Sequence, residues 1–252
     1  MLHIPKDEAA MAHGMGTTTS TRESRLPGTL ALAGSVLMLL GAALWATTGT
    51  DIDRALATGE MSAYLVSAAE HRTVLIANLS IWIVGVLGLG AAGTVMSNVG
   101  SGPLALRELA RAVYWIAVPL AISAFLAWLA LIVQGSANPD PTEVAIAEVV
   151  GWYAYRADAV ATALIVGAGP ALLGSAGRGD WVPDWLFRWG LLAGLAGVLS
   201  FLPYYVPVVP LGVSLIIVPV GIGWTLAAAI VLLGPKQTRQ RGRGEGPLRE
   251  GI

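Results

Sequence analysis

Charge is what this chain mostly lacks. Six long stretches, 29–47, 74–96, 112–133, 159–175, 189–202 and 211–234, contain no Asp, Glu, Lys, Arg or His. Only 12% of the residues are charged, where a soluble domain carries about 25%. A surface built this way does not suit water. Cysteine is absent altogether, which excludes disulfides, thiol catalysis, thiolate metal sites and lipidation on Cys. The only lysines are Lys6 and Lys236, both near the termini, so no lysine lies in an apolar run to form a Schiff base with retinal. The histidines are His3, His13 and His71. One histidine near the apolar runs is too few for a haem held between helices or for a histidine-rich zinc site. No HExxH or GxSxG string occurs, and no carboxylate falls inside a charge-free run. No cofactor is expected. The formal net charge of −1 gives no bulk attraction to nucleic acid.

What is present is hydrophobic length. A helix needs about 20 apolar residues to cross a hydrocarbon core of about 30 Å. Most of the six runs reach that with their uncharged flanks, and the shortest, 189–202, can be extended by Trp185–Phe187 and Pro203–Tyr205. The runs are continuous and show no alternation, so the spans read as helices and not barrel strands. The expected fold class is all-α: a polytopic transmembrane bundle of six spans. Residues 1–27 and 236–252 read as tails around one domain at 28–235. The run 29–47 follows a long polar stretch and reads as a retained first helix, not a cleaved signal.

Orientation follows from the basic residues. Of the 15 Lys and Arg, only Arg54, Arg72 and Arg156 fall on the loops 48–73, 134–158 and 203–210. The remaining 12 fall on the other side, most densely in the tail from Lys236 to Arg243. The positive-inside rule puts both termini in the cytoplasm. The lipid bilayer is the expected partner, with a membrane-protein partner or a second copy also in view. Trp152, Tyr153 and Tyr155, with Tyr204 and Tyr205, form an outer aromatic belt. Trp181, Trp185 and Trp189 form an inner one. The abundance of Ala, Gly and Arg over Lys points to a high-GC bacterium, and hence to its inner membrane.

Local chemistry sharpens the frame. Asp53–Ala69 can form a short amphipathic helix, weakened by Gly59. Gly135–Pro141 is turn chemistry, after which helix can run. Pro119, Pro170 and Pro219 fall inside spans three, four and six and can kink them. Gly190 and Gly194 form a GxxxG element continued by Gly197, suited to packing inside the bundle. Gly177-Arg-Gly-Asp180 matches a protease string in outline, but no second carboxylate lies in a span to share its proton.

One polar constellation stands out, at the outer ends of spans two and four. Glu70, His71 and Arg72 open one helix. Tyr155, Arg156 and Asp158 open the other, with Asp158 about 7–8 Å deeper than Tyr153. Tyr155, Asp158 and Thr162 share one helical stripe, and His71, Asn78 and Trp82 share another. The expected pairings are Asp158 with Arg72 or His71, and Arg156 with Glu70. Such a cluster is an ion-pair clamp between helices, an outward-facing pocket for a small ligand or a proton, or a contact with lipid headgroups.

The stretch Trp181-Val-Pro183-Asp-Trp185-Leu186-Phe-Arg188-Trp189-Gly190 carries a P-x-W-L-x-x-W-G pattern after a Gly- and Arg-rich turn. It resembles a family of uncharacterised bacterial polytopic membrane proteins catalogued as a domain of unknown function. The resemblance covers about 25 residues and implies architecture alone. Three functions fit the sequence. The first is a non-enzymatic accessory, scaffold or sensor subunit. The second is a small transporter or channel for a neutral or weakly polar solute. The third is an intramembrane enzyme using Asp158, His71 and Arg156 on a lipid-like substrate.

Overall fold

The computed structural model describes residues 25–202 and 216–234. Residues 1–24 of the expected N-terminal tail, the whole C-terminal tail, and the turn carrying Pro203, Tyr204, Tyr205, Pro207 and Pro210 lie outside the described residues. Among the described residues the fold is helical, with no strand. Helix α1 spans Leu26–Ala46, with Pro27 in its first turn, where a missing N–H costs nothing. It ends as the Thr47 and Thr48 hydroxyls donate back to the Leu44 and Trp45 carbonyls.

The predicted single amphipathic helix over Asp53–Ala69 is two helices. Helix α2, Ile52–Thr58, is capped by Asp51, whose carboxylate accepts from the Arg54 N–H at 3.0 Å. It stops at Gly59, which sits at φ +73° where a side chain would be strained. Helix α3 then runs Met61–Glu70, and His71 hands over to α4, Arg72–Met96. Helix α5 is Leu104–Gln134 and contains Pro119.

The turn read at Gly135–Pro141 is present. The Asp140 carboxylate accepts from the Glu143 N–H at 2.8 Å, and Glu143 accepts from the Ser136 N–H at 2.8 Å. These caps start α6, Pro141–Thr162, well before the point at which the sequence places the fourth span. The helix runs on through a π-helical segment, Ala163–Ala168, into α7, Gly169–Ala176. Helices α8, Asp184–Leu199, and α9, Ile217–Leu233, complete the described chain.

Four helical runs are long and apolar enough to cross a membrane: Leu26–Ala46, Arg72–Met96, Leu104–Gln134 and Pro141–Ala176. The other two expected runs are helical but shorter, at 16 and 17 residues. At 1.5 Å per residue they reach about 24–26 Å. Large apolar side chains point outward along the bundle, among them Trp115, Val149, Leu192 and Val198. Such a surface suits lipid tails better than water.

Glycine sets how closely the helices approach. A Cβ on Gly34 of α1 would lie 2.8 Å from the Leu89 nitrogen of α4, so the two backbones touch there. The GxxxG helix packs within the chain, as its residues suggest: Gly190 lies against the Pro170 carbonyl and Gly197 against the Gly167 Cα. At Gly221, α9 meets the π segment so tightly that a Cβ would fall 2.0 Å from the Val166 oxygen. Close approach of this kind replaces the hydrophobic drive that lipid cannot supply between helices.

Candidate functional site: an acidic, aromatic cavity in the bundle

The helices do not fill their interior. A cleft of about 370 Å³ lies among α1, α2, α4, α5, α6 and α9. It is more than twice the roughly 150 Å³ void that accepts a benzene ring in an engineered core. A smaller void of about 50 Å³ lies against it, and the two share Met38, Phe125, Asp158, Thr162, Val218 and Ile222. The larger cleft is open and not sealed; exposed Trp45 and Asp51 lie on its lining.

Asp158 and Thr162, one turn apart on α6, both face this space. The depth of Asp158 differs from the sequence expectation. Helix α6 starts at Pro141, not near Tyr153, so Trp152 and Tyr153 lie three turns inside it. The Tyr153 hydroxyl meets the Ser123 hydroxyl at 2.9 Å, close to the middle of α5. Gly151 packs against Ile52 of α2, and Asp158 lies seven residues, about 10 Å, farther in. Its neighbours around the small void include Met38, Val86 and Ala121, each within two residues of its own helix's midpoint. Asp158 is therefore a mid-bundle carboxylate and not one at the outer rim.

The expected partners of Asp158 are occupied elsewhere. Arg72 donates to the Gly135 carbonyl, and the His71 ring bonds the Ser67 carbonyl at 3.0 Å. Neither residue lines the cleft, nor do Glu70, Tyr155 and Arg156. The Arg156 guanidinium lies 5.6 Å from the centre of the Trp152 ring, and Glu70 is exposed. The described residues show ion pairs at Arg111–Glu108 and Arg178–Asp184, not at Asp158. The proposed clamp of Asp158 with Arg72 or His71 is not formed. His71 sits in the hand-over between two helices, and its ring turns back onto the Ser67 carbonyl, which also accepts from the His71 backbone N–H at 3.1 Å.

From the second predicted stripe, Asn78 and Trp82 reach the cleft and His71 does not. Asn78 is 1% exposed and its amide donates to the Gly41 carbonyl at 2.7 Å. The Trp82 indole donates to the Met38 carbonyl at 3.1 Å. Gly41 makes room for that ring: a Cβ there would lie 2.3 Å from it. Trp82, Phe125 and Trp128 form a continuous aromatic wall, with centroids 5.7 and 6.0 Å apart. The Trp128 indole N–H is buried without an acceptor.

The sequence reading missed the contribution of the α1–α3 corner. Thr50, Asp51, Asp53 and Tyr64 all line the cleft. Their only signal was the Asp51-Ile-Asp53 spacing after a Thr-Gly-Thr turn, and nothing local says that it folds back over the bundle. Burial pushes the Asp53 carboxyl up to about 7, helped by the negative charges of Asp51 and Asp158. Burial, and then Asp53, also raise the Tyr64 hydroxyl above its ordinary value. Among the described residues no Lys, Arg or His lines the cleft, and none forms a metal-binding cluster of His, Cys, Asp or Glu.

The signature stretch does structural work at the opposite end. Arg178 pairs with Asp184 at 3.1 Å and lies 4.2 Å over the Phe187 ring. Asp180 accepts from the Ser101 N–H at 2.9 Å, which gives the protease-like string a role as a loop staple. Trp189 donates to the Val220 carbonyl at 3.0 Å, so it packs helices together, while Trp185 remains exposed.

No family model matches the chain, and no curated protein or solved structure matches it either.

Proposed function

We propose that this chain is an integral membrane carrier that binds a small, largely apolar solute in the cleft around Asp158. One observation carries the reading: a mid-bundle carboxylate faces an open cavity that no Lys, Arg or His lines among the described residues. A charged side chain at mid-membrane costs at least about 2.5–3.5 kcal/mol, and ionisable groups there mark solute or ion pathways by default. The cleft has the size, the apolar walls and the few converging polar groups of a small-molecule site.

The rest of the frame belongs to the same proposal. Six spans, the four long helical runs together with α8 and α9, would bring both termini to one side, which the distribution of Lys and Arg makes the cytoplasm of a bacterium, the protein lying in the inner membrane. The resemblance in Trp181–Gly190 supports that architecture and no activity. A scaffold or accessory subunit would be expected to have a filled core, so the cleft favours a solute-binding role over it. The lipid enzyme loses support because His71 and Arg156 lie outside the cleft that holds Asp158.

A carrier must show its site to both faces of the membrane, and the cysteine-free chain makes the test direct. Thr162→Cys would be the only thiol in the protein. Membrane-impermeant thiol reagents are expected to label it both in intact cells and in inside-out vesicles. Labelling from one face alone would make the protein a receptor or sensor, and labelling from neither would end the carrier reading.

A further inference from the structure

Resting on the carrier reading, we infer that the solute is an organic cation, an amine or quaternary ammonium with an apolar body, held by the Asp158 carboxylate against the ring wall. Charge balance sets the sign of the solute. Among the described residues every titratable group on the cleft is acidic or neutral: Asp158 from α6, Asp53 from α2 with Asp51 at its cap, and Tyr64 from α3. Helices α1, α4, α5 and α9 contribute no charged side chain to it. Nor can residues 203–215 supply a cation, since that segment contains no charged residue.

The carboxylate itself is uncommitted. Asp158 makes no hydrogen bond and no ion pair among the described residues, although its neighbours are used. Asp158 is half-buried; a charge drawn out of water without a partner is costly, and a ligand of opposite sign removes that cost when it binds. An anion would add to it, and a neutral solute would leave it in place.

The walls answer the other half of the ligand. Trp82, Phe125 and Trp128 present adjoining rings, and Trp45 and Tyr64 line the same space. Aromatic faces attract ammonium groups most strongly where water is excluded, and they take an apolar body by ordinary contact. The polar part of the lining is a small fraction of the whole, so most of the ligand's surface must be apolar. The volume also exceeds what a bare metal ion needs.

The test uses the full chain in nanodiscs and a matched pair of probes. Benzyltrimethylammonium and neopentylbenzene have the same shape and differ by one positive charge. Calorimetry is expected to find the cation bound at least tenfold more tightly. Asp158→Asn should remove that preference, and Asp158→Glu should keep it. Equal affinity for the two probes overturns the cation assignment and leaves a solute-binding cleft. Binding of neither probe, with Thr162→Cys still labelled from both faces, overturns it too and leaves the carrier standing. A cation preference that survives in Asp158→Asn removes Asp158 from the role. If Asp158→Asn does not fold, the probe pair on the unaltered chain and on Asp158→Glu still decides the matter.

Discussion

At the end of the bundle where residues 97–111 meet residues 176–188, the acids are matched. Glu108 pairs with Arg111 at 3.0 Å, Asp184 with Arg178 at 3.1 Å, and Asp180 holds the Ser101 backbone N–H at 2.9 Å. In the cleft, Asp53 feels the charge of Asp158, and no base lines the space among the described residues. The two ends use the same side chain for opposite purposes. Where a carboxylate has a donor or a cation, it ties loops together, and its removal is felt as lost stability. Where it has neither, it weakens the fold it sits in, and its presence calls for another reason. Exposure deepens the contrast, because the matched acids stand in the open, where an ion pair contributes little, and the unmatched ones are half-buried.

The largest effect should come from making one end resemble the other. Thr162→Lys puts an ammonium one turn beyond Asp158 on the same helix face, the favourable order for an i,i+4 pair. Binding of an organic cation is expected to fall about a hundredfold, roughly 2.7 kcal/mol, with the fold retained in a thermal melt. Unchanged binding would show that Asp158 does not hold the ligand.

A second effect separates the ends by pH. Asp53 is raised to about 7 in the folded chain by burial and by Asp51 and Asp158, with Tyr64 as its other titratable neighbour. Unfolded, it titrates near 4. The folded state then holds more protons between those values, so stability falls as pH rises from about 4 to about 7 and levels off above. The detergent-solubilised protein should melt higher at pH 5 than at pH 8, and Asp53→Asn should reduce that difference. A melting temperature that climbs with pH over this range would contradict the burial of Asp53.

The smallest effect is the plainest comparison. Asp180→Ala removes one exposed charge-assisted hydrogen bond and should cost about 1 kcal/mol. Asp158→Asn should cost nothing and can raise the melting temperature. If the ranking is reversed, the cleft carboxylate is a structural group after all.

Much of the fold was legible in the residues, because lipid solvation leaves a coarse mark. Charge-free runs located every described long helix, and Asp140-Pro141 marked the start of α6. The pairs Asp158 with Thr162 and Asn78 with Trp82 were readable as helical stripes, and both face the cleft. Three things were not readable. The depth of Trp152 and Tyr153 was hidden because Glu143, Glu148 and Arg156 interrupt the apolar run, which made these rings look interfacial, although a helix packed on α5 and α2 carries the charges without difficulty. The return of Asp53 and Tyr64 over the bundle depends on the fit of Ile52 and Met61 against Gly151, a long-range contact with no local sign. The π segment has no composition of its own; only the glycines and Pro170 that follow hint that the spiral changes there.

Pro170 has a consequence of its own. The Gly169 N–H reaches back five residues to the Leu164 carbonyl, closing the wide turn. The next residue has no N–H to offer. The carbonyls it would have engaged look elsewhere: Ile165 faces the Tyr114 hydroxyl at 3.5 Å, and Val166 lies against Gly221 of α9. Heat, solvent or a bound solute can rearrange hydrogen bonds, but none can supply a hydrogen that a residue does not carry. The long helix therefore has a joint at one fixed address, written in covalent bonds a few turns from Asp158, and no rearrangement of its neighbours can weld it shut.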